Sequence, residues 1–315
     1  MKIDQTLFVE LATLARNAGL AAIEIYQKED FGVQLKKDNS PVTAADLKVN
    51  QILSEGLAKL TPSIPIISEE ANVPYQGRKD YGRFWIIDPI DGTKEFIKRS
   101  GEFTVNLGLV EKIDRVKQDA LVKPTFGIIY IPVSDELFIG GQELGLINLN
   151  SENDNSVARW TGTEYSAKAF YMRGEVGKTR TLPLVTRVMG REDKLILTCS
   201  KDHNRPEDFD FIHNLSRDFY CKLLPCGSTI KICRIAQGNA DVYIRSSGIN
   251  DWDLAAGQAI VEAAGGSVTT LDGKELVYNT ESQRLLPFIV HGRIDSNLGG
   301  AAYHFNNLDW RRWTN

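Results

Sequence analysis

The apolar residues of this chain change their spacing near residue 63, from the period of helices to the period of strands. Apolar side chains recur every three or four residues over 7–25 and again over 45–60. This spacing predicts two amphipathic helices. Short, bounded apolar runs follow at 64–67, 84–87, 104–110, 126–131 and 136–139, and such runs are typical of strands. The first half of the chain therefore predicts two helices packed on a sheet.

The last third of the chain instead alternates strand-like and helix-like segments, which indicates an α/β layer. Strands are predicted at 195–199, 221–224 and 241–244, and helices at 206–218, at 229–237 and from Trp252 to Gly265. Between the two halves, 145–193 contains a run too polar to bury much surface. We interpret it as an insertion near a domain boundary.

This order predicts an N-terminal α+β domain over 1–192 and a C-terminal α/β domain over 193–293. The segment 294–315 forms a C-terminal extension to which the sequence assigns no role.

The composition excludes some classes of function. The chain of 315 residues has a formal charge of −4, so it has no overall positive field to hold nucleic acid. Its four cysteines include no C-x-x-C pair and are expected to be reduced. We find no secretion signal and no uninterrupted apolar run of membrane-spanning length. A cytoplasmic location is expected, and peripheral membrane association is left open.

The segment 88–93 carries the strongest chemical signal. Asp88 ends an apolar strand, Pro89 interrupts the ladder, and Gly92 allows a tight turn. Asp88, Asp91 and the carbonyl of Ile90 can therefore converge on one point. Magnesium prefers such oxygen ligands. The alternative is an ordinary surface turn, because Asp, Pro and Gly are common in turns.

Backbone amides after this turn are also expected to bind an anion. The N–H groups of Gly92 and Thr93 would open the next segment, where unpaired amides favour phosphate. Farther along, Asp253 lies at the start of a helix, where an Asp can equally serve only as a cap. Glu69 and Glu70 follow an apolar strand directly, so their carboxylates can reach a site at its end.

Taken together, these segments resemble the lithium-sensitive phosphatases typified by inositol monophosphatase. The resemblance spans about residues 5–293, apart from 145–193, and rests on Glu69-Glu70, on Asp88-Pro89-Ile90-Asp91-Gly92-Thr93 and on Trp252-Asp253-Leu254-Ala255-Ala256-Gly257. It implies an αβαβα sandwich of the inositol monophosphatase and fructose-1,6-bisphosphatase type.

The resemblance also implies roles for individual residues. Two or three magnesium ions are expected, with ligands Glu69, Asp88, the Ile90 carbonyl, Asp91 and Asp253. Glu70 is expected to be a neighbour that does not ligate, although the sequence does not exclude a swap with Glu69.

The catalytic residues implied are Asp46, Thr93 and Glu69. Thr93, with Asp46 behind it, would orient and deprotonate the attacking water. Asp46 can alternatively be a helix-start residue with no catalytic role. Gly92, Thr93 and Asp253 would also contact the substrate.

Within the family, two further segments are similar to the branch that hydrolyses 3′-phosphoadenosine 5′-phosphate. One runs from Lys36 to Asp46, and the other from Cys226 to Arg245. The similarity assigns substrate binding to Lys36, His203, Ser228, Lys231 and Arg245. A bisphosphate needs a second cationic contact, which Lys231 and Arg245 can supply. A solvated lysine, a strand-end arginine and an incidental loop histidine remain the alternatives.

The function expected from the sequence is therefore that of a 3′(2′),5′-bisphosphate nucleotidase that clears a by-product of sulfate assimilation and is inhibited by lithium. An inositol monophosphatase or other sugar phosphatase with the same metal ligands is the nearest alternative. A non-catalytic binding protein on the same fold is less favoured, because docking would not require the complete set of carboxylates. The chain can be a monomer or a homodimer.

Overall fold

The computed structural model describes residues 2–36, 41–71, 73–115, 118–144, 168–174, 181–189, 194–202 and 204–294. The helices within these residues are α1 (Gln5–Tyr26), α2 (Ala44–Leu60), α3 (Tyr75–Arg78), α4 (Thr93–Ile97), α5 (Pro206–Leu215), α6 (Ile230–Ala236) and α7 (Asp251–Ala263). The two N-terminal helices agree with the apolar periodicity to within two residues.

The described strands form two large sheets and two small ones. Two short antiparallel strands, β1 (Gln34–Leu35) and β2 (Pro41–Val42), precede α2. The seven-stranded sheet then follows chain order, with β3 (Ile66–Ser68), β4 (Arg83–Asp91), β5 (Thr104–Arg115), β6 (Gln118–Ile131), β7 (Glu136–Gly141), β8 (Ala169–Arg173) and β9 (Thr181–Pro183). Its strand pairs are antiparallel except for β3 with β4.

The strands of the five-stranded sheet are β11 (Lys194–Ser200), β12 (Tyr220–Cys226), β13 (Val242–Arg245), β14 (Ser267–Thr270) and β15 (Phe288–His291). Their order in the sheet is β12-β11-β13-β15-β14, and β11 pairs in parallel with both β12 and β13. A short parallel pair, β10 (Val188–Met189) with β16 (Arg293–Ile294), completes the described strands.

Alternation along β4 shows how the layers stack. Trp85 and Ile87 enter the core shared with α1 and α2, whereas Phe84 and Ile86 enter the core shared with α6 and α7, as the two-residue period of a strand requires. The second core continues into one face of the five-stranded sheet, and α5 covers its other face. The layers are thus helix, sheet, helix, sheet and helix, which confirms the αβαβα sandwich.

Helix α7 approaches the seven-stranded sheet at glycines. A Cβ atom on Gly127 would lie 2.2 Å from the carbonyl oxygen of Ala256, and one on Gly108 would lie 2.9 Å from the Cβ of Ala255. Real Cβ contacts are never this short, so only glycine permits the packing distance. This close approach brings the first turn of α7, with Asp253, to the end of β4.

Helix α1 is long and apolar enough to cross a membrane by length and composition alone. In the structure one face of it is buried, with Phe8, Leu11 and Ala15 in the first core, while charged residues such as Glu10 and Glu24 interrupt its sequence. A core helix of this kind passes the same test.

Two segments differ in particular from the sequence prediction. The strand predicted at 64–67 is β3, which begins at Ile66, after Pro65, because proline has no N–H to donate to a ladder. Residues 145–167 of the predicted insertion lie outside the described residues. The rest of it is not all insertion, because β8 and β9 extend the seven-stranded sheet. Residues 295–315 also lie outside the described residues, and the domain boundary at 192 stays a prediction.

Candidate metal centre

Three carboxylates meet at the end of β4. Asp88, Asp91 and Asp253 each offer an oxygen atom, and these oxygens lie within 4.8 Å of one another. Asp88 and Asp91 flank a bulge in β4 that contains Pro89, which lets both side chains leave the same strand end on one side. Asp253 comes from the first turn of α7, where its Oδ2 accepts from the Asn250 N–H at 3.0 Å.

The charge of this cluster is uncompensated at Asp88. The residue is 1% exposed, and its Oδ1 has no hydrogen-bond partner among the described residues. Burial, together with the like charges of Glu69, Asp91 and Asp253, raises the pKa of the Asp88 carboxyl well above its ordinary value. A buried polar atom without a partner is costly. The orphaned oxygen and the all-oxygen donor set fit a hard divalent cation such as magnesium.

Glu69 lies beside this cluster but is held by a lysine. Its backbone N–H donates to the Ile87 carbonyl at 3.2 Å, which fixes it next to β4. Lys36 Nζ donates to Glu69 Oε1 at 2.6 Å and to Glu70 Oε1 at 2.7 Å. Burial works against the charge of Lys36, but the two carboxylates outweigh burial and raise its pKa. Lys36 is thus placed on the carboxylate side of the cleft.

The carbonyl of Ile90 faces the hydroxyl of Thr93. Thr93 Oγ1 lies 3.3 Å from the Ile90 oxygen and 3.4 Å from Asp46 Oδ1. Between them, Gly92 has a φ of +89°, the left-handed conformation that glycine tolerates best. The turn therefore brings the hydroxyl of Thr93 between a candidate ligand and a buried carboxylate.

The two oxygens of Asp46 have different partners. Its Oδ2 accepts from the Thr43 N–H at 2.7 Å and from the Thr43 hydroxyl at 2.6 Å, in a capping box at the start of α2. Its Oδ1 faces Thr93. Burial raises the pKa of Asp46 despite these hydrogen bonds. One oxygen therefore caps the helix, while the other faces the Thr93 hydroxyl.

Asp91 is held by two residues from the turn before α6. Its Oδ2 accepts from the Ser228 hydroxyl at 2.6 Å, from the Thr229 N–H at 2.6 Å and from the Thr229 hydroxyl. The sequence predicted that Ser228 contacts the substrate, but in the structure its hydroxyl donates to Asp91. Thr229 was missed, although it directly follows Ser228 in a segment already singled out.

A cleft of about 270 Å³ adjoins the carboxylates, and Glu69, Gly92, Thr93 and Asp253 contribute to its wall. The cleft is also lined by Ser228, Lys231, Tyr243 and Arg245.

Lys231 and Arg245 bring positive charge to this cleft. Lys231 is 7% exposed, its Nζ donates to the Ser228 carbonyl at 2.6 Å, and it lies 5.5 Å from the centre of the Tyr243 ring. Burial lowers the pKa of Lys231. Arg245 ends β13. The predicted substrate residue His203 lies outside the described residues.

Comparison with known proteins gives a consistent result. The sequence model of the inositol monophosphatase family matches residues 4–287. The chain is 33% identical over 279 residues to the 3′(2′),5′-bisphosphate nucleotidase CysQ of Escherichia coli strain K12, covering 88% of this chain and 96% of the relative. It is 32% identical over 275 residues to the protein of the same name from Buchnera aphidicola, covering 87% and 88%.

A solved structure shows the same fold. The crystal structure of CysQ from Bacteroides thetaiotaomicron, a bacterial member of the inositol monophosphatase family, matches with a TM-score of 0.69 at 33% identity. The match covers 91% of this chain and 99% of that one.

Proposed function

Because the chain belongs to the inositol monophosphatase family, we propose that it is a magnesium-dependent phosphatase that hydrolyses 3′-phosphoadenosine 5′-phosphate to AMP and phosphate. The relation between the aspartate cluster and the cleft supports this proposal. A cluster of three aspartates, with an orphaned oxygen on the buried Asp88, adjoins a cleft that Lys231 and Arg245 also line. The cleft therefore offers carboxylates that suit a cation and cationic groups that suit an anion.

The carboxylate end would hold magnesium through Asp88, Asp91, Asp253 and the Ile90 carbonyl, joined by Glu69 once Lys36 releases it. Two or three ions are the expectation carried by the family. Magnesium bound there supplies Lewis acidity and neutralises negative charge on the phosphoryl oxygens.

Thr93 and Asp46 are proposed to orient and deprotonate the attacking water. In the proposed reaction the Thr93 hydroxyl orients a water molecule, and Asp46, 3.4 Å behind that hydroxyl, accepts the proton through it. The water oxygen bonds to phosphorus as the bond to the nucleotide 3′-oxygen breaks, and the departing oxygen takes a proton from solvent, so inorganic phosphate and a free hydroxyl result. The amides of Gly92 and Thr93 are proposed to bind the phosphoryl group.

The choice of a bisphosphate nucleotide rests on two cationic residues of the cleft. Lys231 and Arg245 are proposed to bind the phosphate that is not hydrolysed, because a second phosphate needs cations beyond the metal ligands. The similarity to 3′(2′),5′-bisphosphate nucleotidases of Escherichia coli and Buchnera aphidicola supports this substrate. Removal of a sulfate-assimilation by-product in the cytoplasm and inhibition by lithium are parts of the same proposal.

Phosphate release over a panel of substrates tests the proposal. With magnesium, kcat/KM is expected to be highest on 3′-phosphoadenosine 5′-phosphate and lower on inositol 1-phosphate and fructose 1,6-bisphosphate, and lithium is expected to inhibit. A preference for inositol 1-phosphate would overturn the substrate assignment. Absence of release from every ester, together with intact folding, would favour a binding protein instead.

A pair of variants tests the second phosphate. Arg245→Gln is expected to raise KM for the bisphosphate by about 10- to 100-fold and to change KM little for 3′-AMP, which lacks the 5′-phosphate. Lys98→Gln, at an exposed lysine that pairs with Asp202, is the matched control and is expected to change neither constant. An equal effect of Arg245→Gln on both nucleotides would contradict the assignment.

A further inference from the structure

The carboxylate of Asp91 is fixed by an unusual number of donors on one oxygen. Its Oδ2 accepts from the Ser228 hydroxyl at 2.6 Å, from the Thr229 N–H at 2.6 Å and from the Thr229 hydroxyl. Hydrogen bonds to a carboxylate oxygen restrict rotation of the whole group and orient it toward a bound metal. Residues 228 and 229 therefore set the direction in which Asp91 faces Asp88 and Asp253.

The hydroxyl of Thr229 has a direction of its own. Asn106 Nδ2 donates to Thr229 Oγ1 at 3.0 Å, which occupies the hydroxyl as an acceptor. Its single hydrogen is then left for Asp91, its nearest acceptor. Asn106 is 1% exposed and Thr229 is 4% exposed. The relay from Asn106 through Thr229 to Asp91 thus joins β5, the start of α6 and β4, and its first two members are buried.

An ordinary structural role does not account for this hydroxyl. Thr229 stands at the N-cap position of α6, where a threonine side chain commonly accepts from a helix N–H. Here it makes no such cap bond. The side chain instead reaches a residue 138 positions earlier in the chain.

The preceding residue shows that the turn is held firmly. Ser228 has a φ of +52°, a left-handed conformation that costs a residue other than glycine free energy and persists where the surroundings fix it. Lys231 Nζ donates to its carbonyl at 2.6 Å. Glu102 accepts from the Gly227 N–H at 3.0 Å. Strain in a turn that delivers donors to a candidate ligand is typical of functional sites.

We propose that Thr229 is a positioning residue for the metal centre, whose hydroxyl, oriented by Asn106, holds Asp91 in the direction required to bind a divalent cation. The proposal rests on the proposed function only in taking the aspartate cluster as a metal site. It concerns binding of the cation and does not depend on which phosphate ester is hydrolysed.

Calorimetric titration of the full chain with magnesium, without substrate, tests this directly. Thr229→Val keeps the shape of the side chain and removes the hydroxyl, and it is expected to weaken magnesium binding by about 10- to 100-fold. Thr229→Ser restores the hydroxyl and is expected to bind within about threefold of the unaltered chain. Thr198→Val is the matched control, because Thr198 is 2% exposed and its hydroxyl has no partner among the described residues.

Melting curves in EDTA separate loss of binding from loss of folding. Asn106→Ala, which removes the donor to Thr229 but keeps its hydroxyl, is expected to weaken binding less than Thr229→Val and provides a second variant if Thr229→Val does not fold. Unchanged magnesium binding in either folded variant would overturn the proposal. Because the magnesium titration contains no substrate, its result does not depend on which ester the phosphate-release panel identifies.

Discussion

Lys36 and Glu69 form an ion pair, with Nζ 2.6 Å from Oε1. The pair joins a residue proposed to bind the substrate to a residue proposed to bind the metal. Both side chains are only about one-fifth exposed, so the contact is partly screened from water. A cation that Glu69 accepts must replace the ammonium group, and Lys36 is then released toward the cleft.

Replacement of Lys36 by methionine should therefore separate two effects. Without the competing ammonium group, magnesium is expected to bind about three- to tenfold more tightly, as the loss of a partly exposed ion pair implies. The KM for the bisphosphate is expected to rise, because the released lysine no longer contacts it. Calorimetry without substrate measures the first effect and initial rates measure the second. Lys48→Met, at an exposed site on α2, should change neither, and weaker magnesium binding in Lys36→Met would contradict the competition.

Asp46 allows catalysis and helix capping to be distinguished. Asp46→Asn keeps the size of the side chain but removes the proton acceptor behind Thr93, so kcat should fall by about 10²- to 10⁴-fold with magnesium affinity little changed. Thr43→Ala keeps the backbone N–H but removes the hydroxyl that donates to the other oxygen of Asp46, and it should cost about 1 kcal/mol of stability while most of kcat remains. Equal losses of kcat in the two variants would indicate that Asp46 acts only as a cap.

Local patterns in the sequence predict much of this fold. The helical period over residues 7–25 is strong because one face of α1 is buried along its whole length, and the unbroken apolar run of β4 marks a strand buried on both sides. The candidate ligands are predictable for a related reason. Asp88 and Asp91 lie at the end of that strand, where a proline and a glycine interrupt regular pairing.

The partners of these ligands are not encoded in any local pattern. Thr229 reaches Asp91 across 138 positions, and Asn106 reaches Thr229 across 123. A single hydroxyl or amide carries no periodic signal. Ser228 was assigned to the substrate because its segment is similar to the nucleotidase branch, and only the position of the turn before α6, next to Asp91, shows where its hydroxyl donates. Lys36 was likewise assigned to the substrate, and in the structure it donates to Glu69 and Glu70. This contact also depends on how distant segments pack and not on a local pattern.

The glycine contact beneath α7 predicts a stability effect that extends to the site. A Cβ on Gly127 would meet backbone atoms of Ala256 at 2.2–2.8 Å, and backbone cannot move aside without shifting the helix. Gly127→Ala is expected to destabilise the fold by about 1–3 kcal/mol and to weaken magnesium binding, because Asp253 lies on the same helix. Gly82→Ala is the control, since nothing lies within 4 Å of a Cβ there. Chemical denaturation measures stability, and equal stability of the two variants would refute the packing argument.

Asp88→Asn should make the protein less active but more stable without metal. The amide removes one of several like charges that lie close together, and it also removes a buried anionic oxygen that has no partner among the described residues. Phosphate release is expected to fall by about a hundredfold or more, because changes to residues that only support metal ligands already cost about 10- to 100-fold. In EDTA the variant should melt higher, by about 2 °C for each kcal/mol of relieved repulsion. Magnesium should raise its melting temperature less than that of the unaltered chain. Asp80→Asn, at an exposed turn, is the control for removing a charge alone. If Asp88→Asn melts at a lower temperature than the unaltered chain in EDTA, and magnesium raises the two melting temperatures equally, then the cluster is a structural network rather than a site strained for cation binding.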